Sequence, residues 1–149
     1  MMQSLQINPY KMDTDDGERF AAWGAEVLVK ASTEQTGGMF NLLEITSPAG
    51  FVTPLHIHYA EDVALYVLEG TLTIYWGDQQ KQAVAGSYSF QPRGTPHGFR
   101  VTGDARFLYL TVPAGFDGFI SAGSLSANES ELAGSAARHK IEILGPLPD

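Results

Sequence analysis

Cysteine is absent from all 149 residues. That single absence excludes disulfides, thiolate metal sites and cysteine nucleophiles, although it does not fix the compartment. Positive charge is scarce as well: nine Lys and Arg stand against 17 Asp and Glu, for a net charge of −8. No basic cluster occurs anywhere along the chain. A surface that neutralises phosphates needs one, so nucleic acid is not an expected partner. Long apolar runs are also missing. The longest, Val63 to Leu68, is far too short to cross a bilayer. The first residues, Met1 to Ile7, have neither the basic start nor the apolar stretch of a secretory signal. The expectation is a cytoplasmic protein with no membrane association.

What is present reads as one domain over residues 1–149, long enough to bury about 70% of the surface of its unfolded chain. After an acidic turn at Asp13 to Gly17, Phe20 and Trp23 read as apolar anchors laid over the core rather than as part of an element. Strand patterns then follow closely: Ala25 to Ala31, Met39 to Thr46 after a turn at Gly37-Gly38, Phe51 to His58, and a stretch from Val63 to Trp76 that reads as a pair of strands bent at Glu69-Gly70. That stretch alternates Val63, Leu65 and Val67 on one side, then Leu72 and Ile74. If both sets face inward, parity switches at Gly70, as a bulge or corner would do. Gly77-Asp78 is a two-residue hairpin signal. Lys81 to Ala85, Tyr88 to Gln91, Gly98 to Thr102 and Ala105 to Val112 continue the series. Roughly nine or ten short strands with turn residues between them predict an all-β sandwich or barrel. The barrel is expected over about 25–112 and a short helical tail over about 116–140. The tail comprises Phe116 to Ala122 and a helix opened by Asn128-Glu-Ser-Glu131, presenting Leu132, Ala133, Ala136 and Ala137 to the barrel. Its prolines then end regular structure after Ile141.

Histidine is rare, with four in the chain, and three of them fall in two short stretches. His56 and His58 alternate on a strand and so share a face. His97 closes the turn Pro92-Arg-Gly-Thr-Pro-His97. Imidazoles on one face can grip one divalent transition metal, with Fe, Ni, Cu, Mn or Zn all compatible. His139, late in the tail helix, reads as structural or solvent-exposed, where positive charge is favourable.

The two histidine stretches together resemble the two motifs of the cupin superfamily. Gly50, His56, His58 and Gly70 match the first, and Gly86, Pro92, Gly94 and His97 match the second, with 15 residues between Gly70 and Gly86. The tail, from Val112-Pro-Ala-Gly-Phe-Asp-Gly-Phe119 to Ile141-Glu-Ile-Leu-Gly-Pro, is similar to quercetin dioxygenase-like small cupins. The resemblance implies a double-stranded β-helix, or jelly-roll, barrel. It also implies a metal held by His56, His58 and His97, dioxygenase-type chemistry on a small molecule, and a homodimer. The chain departs from the pattern where the acidic metal ligand should stand, which is Val63, and where the second motif ends in asparagine, which is Val101.

That first departure shapes the functional reading. Strand parity sends Asp62 to the opposite face, while Glu61 has the right parity but lies one pleat outward. A bulge would bring either in; otherwise both belong to a solvated acidic loop, the favoured reading. With no motif acid, proton transfer would fall to Glu61 or Tyr66. Phe99, two residues after His97, and Val63 are the candidate pocket residues. The expected function is thus a metal-binding cupin, of dioxygenase type, acting on a small aromatic or apolar substrate. The alternative is a non-catalytic cupin that binds a small ligand with weak metal or none.

Overall fold

The computed structural model describes residues 6–22, 24–123 and 128–148. Trp23, one of the two expected anchors, lies outside the described residues. Among the described residues, nine strands and three short helices follow in the order β1 (Glu18–Ala22), β2 (Ala25–Ala31), α1 (Thr33–Thr36), β3 (Asn41–Ser47), β4 (Leu55–His58), β5 (Asp62–Trp76), β6 (Gln79–Val84), β7 (Tyr88–Gln91), β8 (His97–Val112), α2 (Phe116–Ser121), α3 (Glu129–Arg138) and β9 (Ile141–Gly145). The expected all-β jelly-roll barrel with a short helical tail is what forms.

The spine is the antiparallel ladder between β5 and β8, which runs from Asp62↔Val112 to Trp76↔His97. On its flanks, β3 pairs with β8, β6 and β7 pair with β5, and β4 reaches β8 through His56↔His97. β1 and β2 extend the sheet beyond β3, and β9 extends it beyond β4. Each of the two long strands was expected as two shorter ones. They stay continuous because the ladder resumes after its register shifts near Glu69 and Thr71. The inward set does change parity there: Val63, Leu65 and Val67 are buried before Gly70, and Leu72 and Ile74 after it. Gly70 has φ +83°, and a Cβ there would collide with the Asp104 carbonyl oxygen and lie 2.6 Å from the Ala105 Cα. Only glycine fits that corner.

Other expectations shift. Phe20 belongs to a true strand, β1, paired through Phe20↔Val27. The histidine strand is four residues long, with Val52 making an isolated bridge to Arg100. Gly37 caps α1, a helix opened by a reciprocal Ser32–Gln35 cap, so the predicted turn is the end of a helical turn. β9 was not foreseen. Its partner β4 leaves an open edge, and backbone pairing there outweighs the prolines that follow.

The tail is tied down by buried polar contacts. The Asn41 Oδ1 accepts from the backbone N–H of Gly115 and Asp117, at 3.0 and 3.1 Å. Asp117 accepts in turn from Thr33 N and Thr33 Oγ1, at 2.8 and 2.6 Å. In α3, Leu132 packs on the core and Ala136 is buried, whereas Ala133 and Ala137 face outward. No helix among the described residues is long and apolar enough to cross a membrane.

Gly70→Ala should lower stability by about 2–4 kcal/mol, combining left-handed strain with the backbone collision. Thermal denaturation monitored by circular dichroism checks this; an unchanged melting temperature would show that the corner is not tight.

Candidate metal centre

His56 and His58 enter the barrel from β4, and His97 enters as the first residue of β8. All three are buried, at 8%, 2% and 2% exposure. Their ring centroids lie 4.5 to 5.4 Å apart. One nitrogen from each ring falls within 4.8 Å of the others, a spacing that could hold a metal ion.

The rings are oriented by what meets the Nδ1 atoms. His56 Nδ1 lies 2.7 Å from the Pro54 carbonyl, and His97 Nδ1 lies 2.9 Å from the Thr95 carbonyl. The same device is used twice, a carbonyl two residues before the ring. His58 Nδ1 lies 2.7 Å from Glu61 Oε1 instead. A carbonyl or carboxylate can only accept, so each Nδ1 carries the proton and each Nε2 keeps a lone pair. Such partners beyond the ligating atom fix the tautomer and raise ligand basicity. His97 Nε2 has no hydrogen-bond partner, and His58 Nε2 lies 3.4 Å from the Tyr109 hydroxyl. Three lone pairs brought together in a buried site are the donor set a divalent transition metal requires.

Electrostatics keep His56 and His97 neutral. Burial pulls His56 well below the ordinary imidazole range, and the neighbouring His97 and His58 pull it further. Burial likewise lowers His97, to about 4, against the opposing Thr95 hydrogen bond. Tyr109 is held protonated, its pKa pushed up by burial and then by the charge of Glu61.

Glu61 corrects the expectation of a solvated loop. It is 4% exposed and bound to His58. Strand parity never governed it, because it sits in the bend before β5 and its side chain turns back three residues onto the ring. The His58-x-x-Glu61 spacing was the available signal. Asp62 does turn away, as parity required, and pairs with Arg93, which holds its carboxyl below the usual range. Tyr66 is a second correction. It alternates with the buried Leu65 and Val67, faces outward and is 44% exposed, so it cannot serve the histidines. Val63 faces inward at 0% exposure, but it is packed in the core and does not line the cavity beside the rings. Phe99 does line it. His139 sits apart, its Nδ1 2.9 Å from the Ser135 carbonyl and its ring on the edge of Phe119.

The cavity above His56 and His58 has a volume of about 70 Å³ and an almost wholly apolar wall. The barrel contributes Phe51, Phe99 and Tyr109, while the tail closes it with Phe116, Leu132 and Ile143. Ile143 was invisible as a pocket residue because its strand was not foreseen.

Comparison with known proteins agrees with this architecture. The family model described as "Cupin domain" matches residues 43–113. A quercetin 2,3-dioxygenase from Bacillus subtilis (strain 168) is 29% identical over 93 residues, or 62% of this chain. The matched part spans only 28% of that relative's length. Among solved structures, the polyketide cyclase RemF from Streptomyces resistomycificus superposes with a TM-score of 0.61 at 27% identity, covering 70% of this chain and 80% of its own. The nucleoside dehydratase Pac13 of Streptomyces superposes with a TM-score of 0.64 at 15% identity, covering 95% of each chain. Residues 43–113 thus match a cupin domain, and the chain is similar to the small quercetin dioxygenase-like cupins.

The lowered His56 and His97 set a pH dependence for the metal-free protein. The unfolded chain binds protons near pH 6.5 that the folded one refuses. The stability these groups contribute is therefore fully present above about 6.5 and is lost as pH falls toward about 4. Urea midpoints at pH 7, 5.5 and 4.5 should fall in that order, with a shallower fall in His97→Asn; equal slopes in the two proteins would refute the assignment.

Proposed function

We propose that this cupin binds a divalent transition metal through His56, His58 and His97 and acts as a dioxygenase-type oxidoreductase on a small aromatic or apolar molecule. The observation that carries the reading is the anchoring of all three Nδ1 atoms, which turns three neutral lone pairs toward one another. Once bound, the metal would supply Lewis acidity and a template for bringing substrate and O₂ together. Both atoms of O₂ enter the substrate, whose own electrons reduce them, so no separate reductant is needed. Glu61 orients His58 and places a negative charge behind it. Tyr109 offers a protonated hydroxyl at the cavity floor, and the apolar wall excludes water. Of Glu61 and Tyr66, only Glu61 remains beside the site, and its contact with His58 makes it a positioning group. The dioxygenase assignment draws on the Bacillus relative, while the structural neighbours include a polyketide cyclase and a nucleoside dehydratase.

The cavity adds a requirement. At about 70 Å³ it is less than half of the ~150 Å³ that accepts a benzene ring. An aromatic substrate therefore needs room beyond it, toward the open side of the pocket or through movement of tail residues such as Phe116 and Leu132. The alternative of a non-catalytic ligand-binding cupin draws on Val63, which leaves the motif position without a carboxylate to act as base.

Untagged protein should carry close to one equivalent of transition metal by elemental analysis, and His58→Ala should abolish it with the barrel still folded. Below about a tenth of an equivalent, even after reconstitution, the metal reading fails.

The same reading takes the protein as a cytoplasmic homodimer. Support comes from an outward aromatic patch: Tyr66 pairs in register with Tyr88, and Phe90 lies two pairs along on the same face, all between 44% and 65% exposed. Tyr88→Glu should then halve the mass measured by light scattering. A wild-type mass near 16.1 kDa would remove the dimer.

A further inference from the structure

Four buried side-chain atoms among the described residues find no hydrogen-bond partner: Ser89 Oγ, Gln91 Nε2, His97 Nε2 and Thr111 Oγ1. They are grouped. Gln91 on β7 and Thr111 on β8 are the two strand neighbours of Val63, and Ser89 is the β7 neighbour of Leu65. Directly opposed residues project to the same face, so this polar row runs through the barrel interior across the position where the motif would place an acid.

Gln91 is the most informative member, at 1% exposure. Its Oε1 accepts from Trp76 Nε1 at 3.0 Å. An indole N–H can only donate, so this contact settles which end of the amide is oxygen and leaves the NH₂ unpaired. Trp76 is the strand partner of His97, so the Gln91 amide is bound to the indole that lies opposite His97 in the β5–β8 ladder. A buried amide donor and a buried imidazole acceptor, both orphaned and on the same interior, call for a bound species.

We propose that Gln91 positions a ligand: its Nε2 donates to the acceptor atom of an anionic ligand held beside His97. This rests on the metal reading above. A carboxylate at position 63 would neutralise the metal and repel a second anion. Val63 with Gln91 does the reverse: no ligating carboxylate neutralises the metal, Glu61 lies behind His58 and offsets only part of its charge, and an amide donor meets the incoming negative group. The ligand class is thus an apolar molecule carrying one anionic oxygen, or a small inorganic anion.

The test uses cobalt(II) and azide, followed by visible absorption. Wild-type protein loaded with cobalt should respond to azide. Gln91→Leu should keep its cobalt affinity within about threefold while azide binding weakens about 10- to 100-fold, the range for a hydrogen bond to a charged group. Gln91→Glu keeps an acceptor for Trp76 but removes the donor and adds charge. It should bind cobalt at least as tightly and lose the azide response, and it decides the matter if Gln91→Leu does not fold. Equal azide affinity in wild type and the variants, or no azide response in cobalt-loaded wild type, overturns the role of Gln91 and leaves the metal reading standing. No cobalt uptake by the wild type overturns both.

Discussion

Two long strands have to pass from one face of the barrel to the other while keeping their backbone hydrogen bonds, and the β5–β8 ladder does this at Gly70. The register shifts there invert the inward set from Val63, Leu65 and Val67 to Leu72 and Ile74, so apolar side chains reach the core on both sides of the bend. His97 stands at the far end of the same ladder, opposite Trp76, and His56 pairs with His97. The separation of the rings is therefore inherited from the corner. A strand that lost register at Gly70 would misplace His97 before it disturbed anything else in the site.

The site is organised by neutral groups. Burial and mutual repulsion keep His56 and His97 uncharged, and backbone carbonyls two residues upstream fix their tautomers. His58 alone is oriented by a charge, Glu61, bound three residues later. Negative charge thus remains near the histidines although the motif position holds Val63, but it lies behind a ring. The interior gains amide and hydroxyl groups in its place, with Gln91 and Thr111 flanking Val63. The open side of the cluster faces an apolar cavity closed by the tail, whose hold on the barrel runs through Asn41 and Asp117.

Local pattern carried much of this. Alternation marked the strands, the parity switch marked the corner, and His-x-His spacing put His56 and His58 on one face. The capping signal at Asn128 placed α3 within a residue or two of its observed start. Each of these depends on residues close together in the chain, whose geometry the backbone period dictates.

Contacts set by other parts of the fold were not legible in this way. Tyr66 reads as a proton-transfer candidate until the sheet assigns it the outer face. β9 has an unremarkable sequence and becomes a strand because β4 presents an open edge. Glu61 looks like loop charge until a buried imidazole N–H three residues back claims it, and Gln91 looks like a strand terminus until Trp76 takes its carbonyl. The sequence by itself determined the strand series, its corner and the shared face of His56 and His58, because those follow from local backbone geometry, while the jelly roll and the place of His97 came from the resemblance of its motifs. Only tertiary structure decided which polar groups surround the rings, because a buried donor or acceptor takes whichever partner the fold brings within reach.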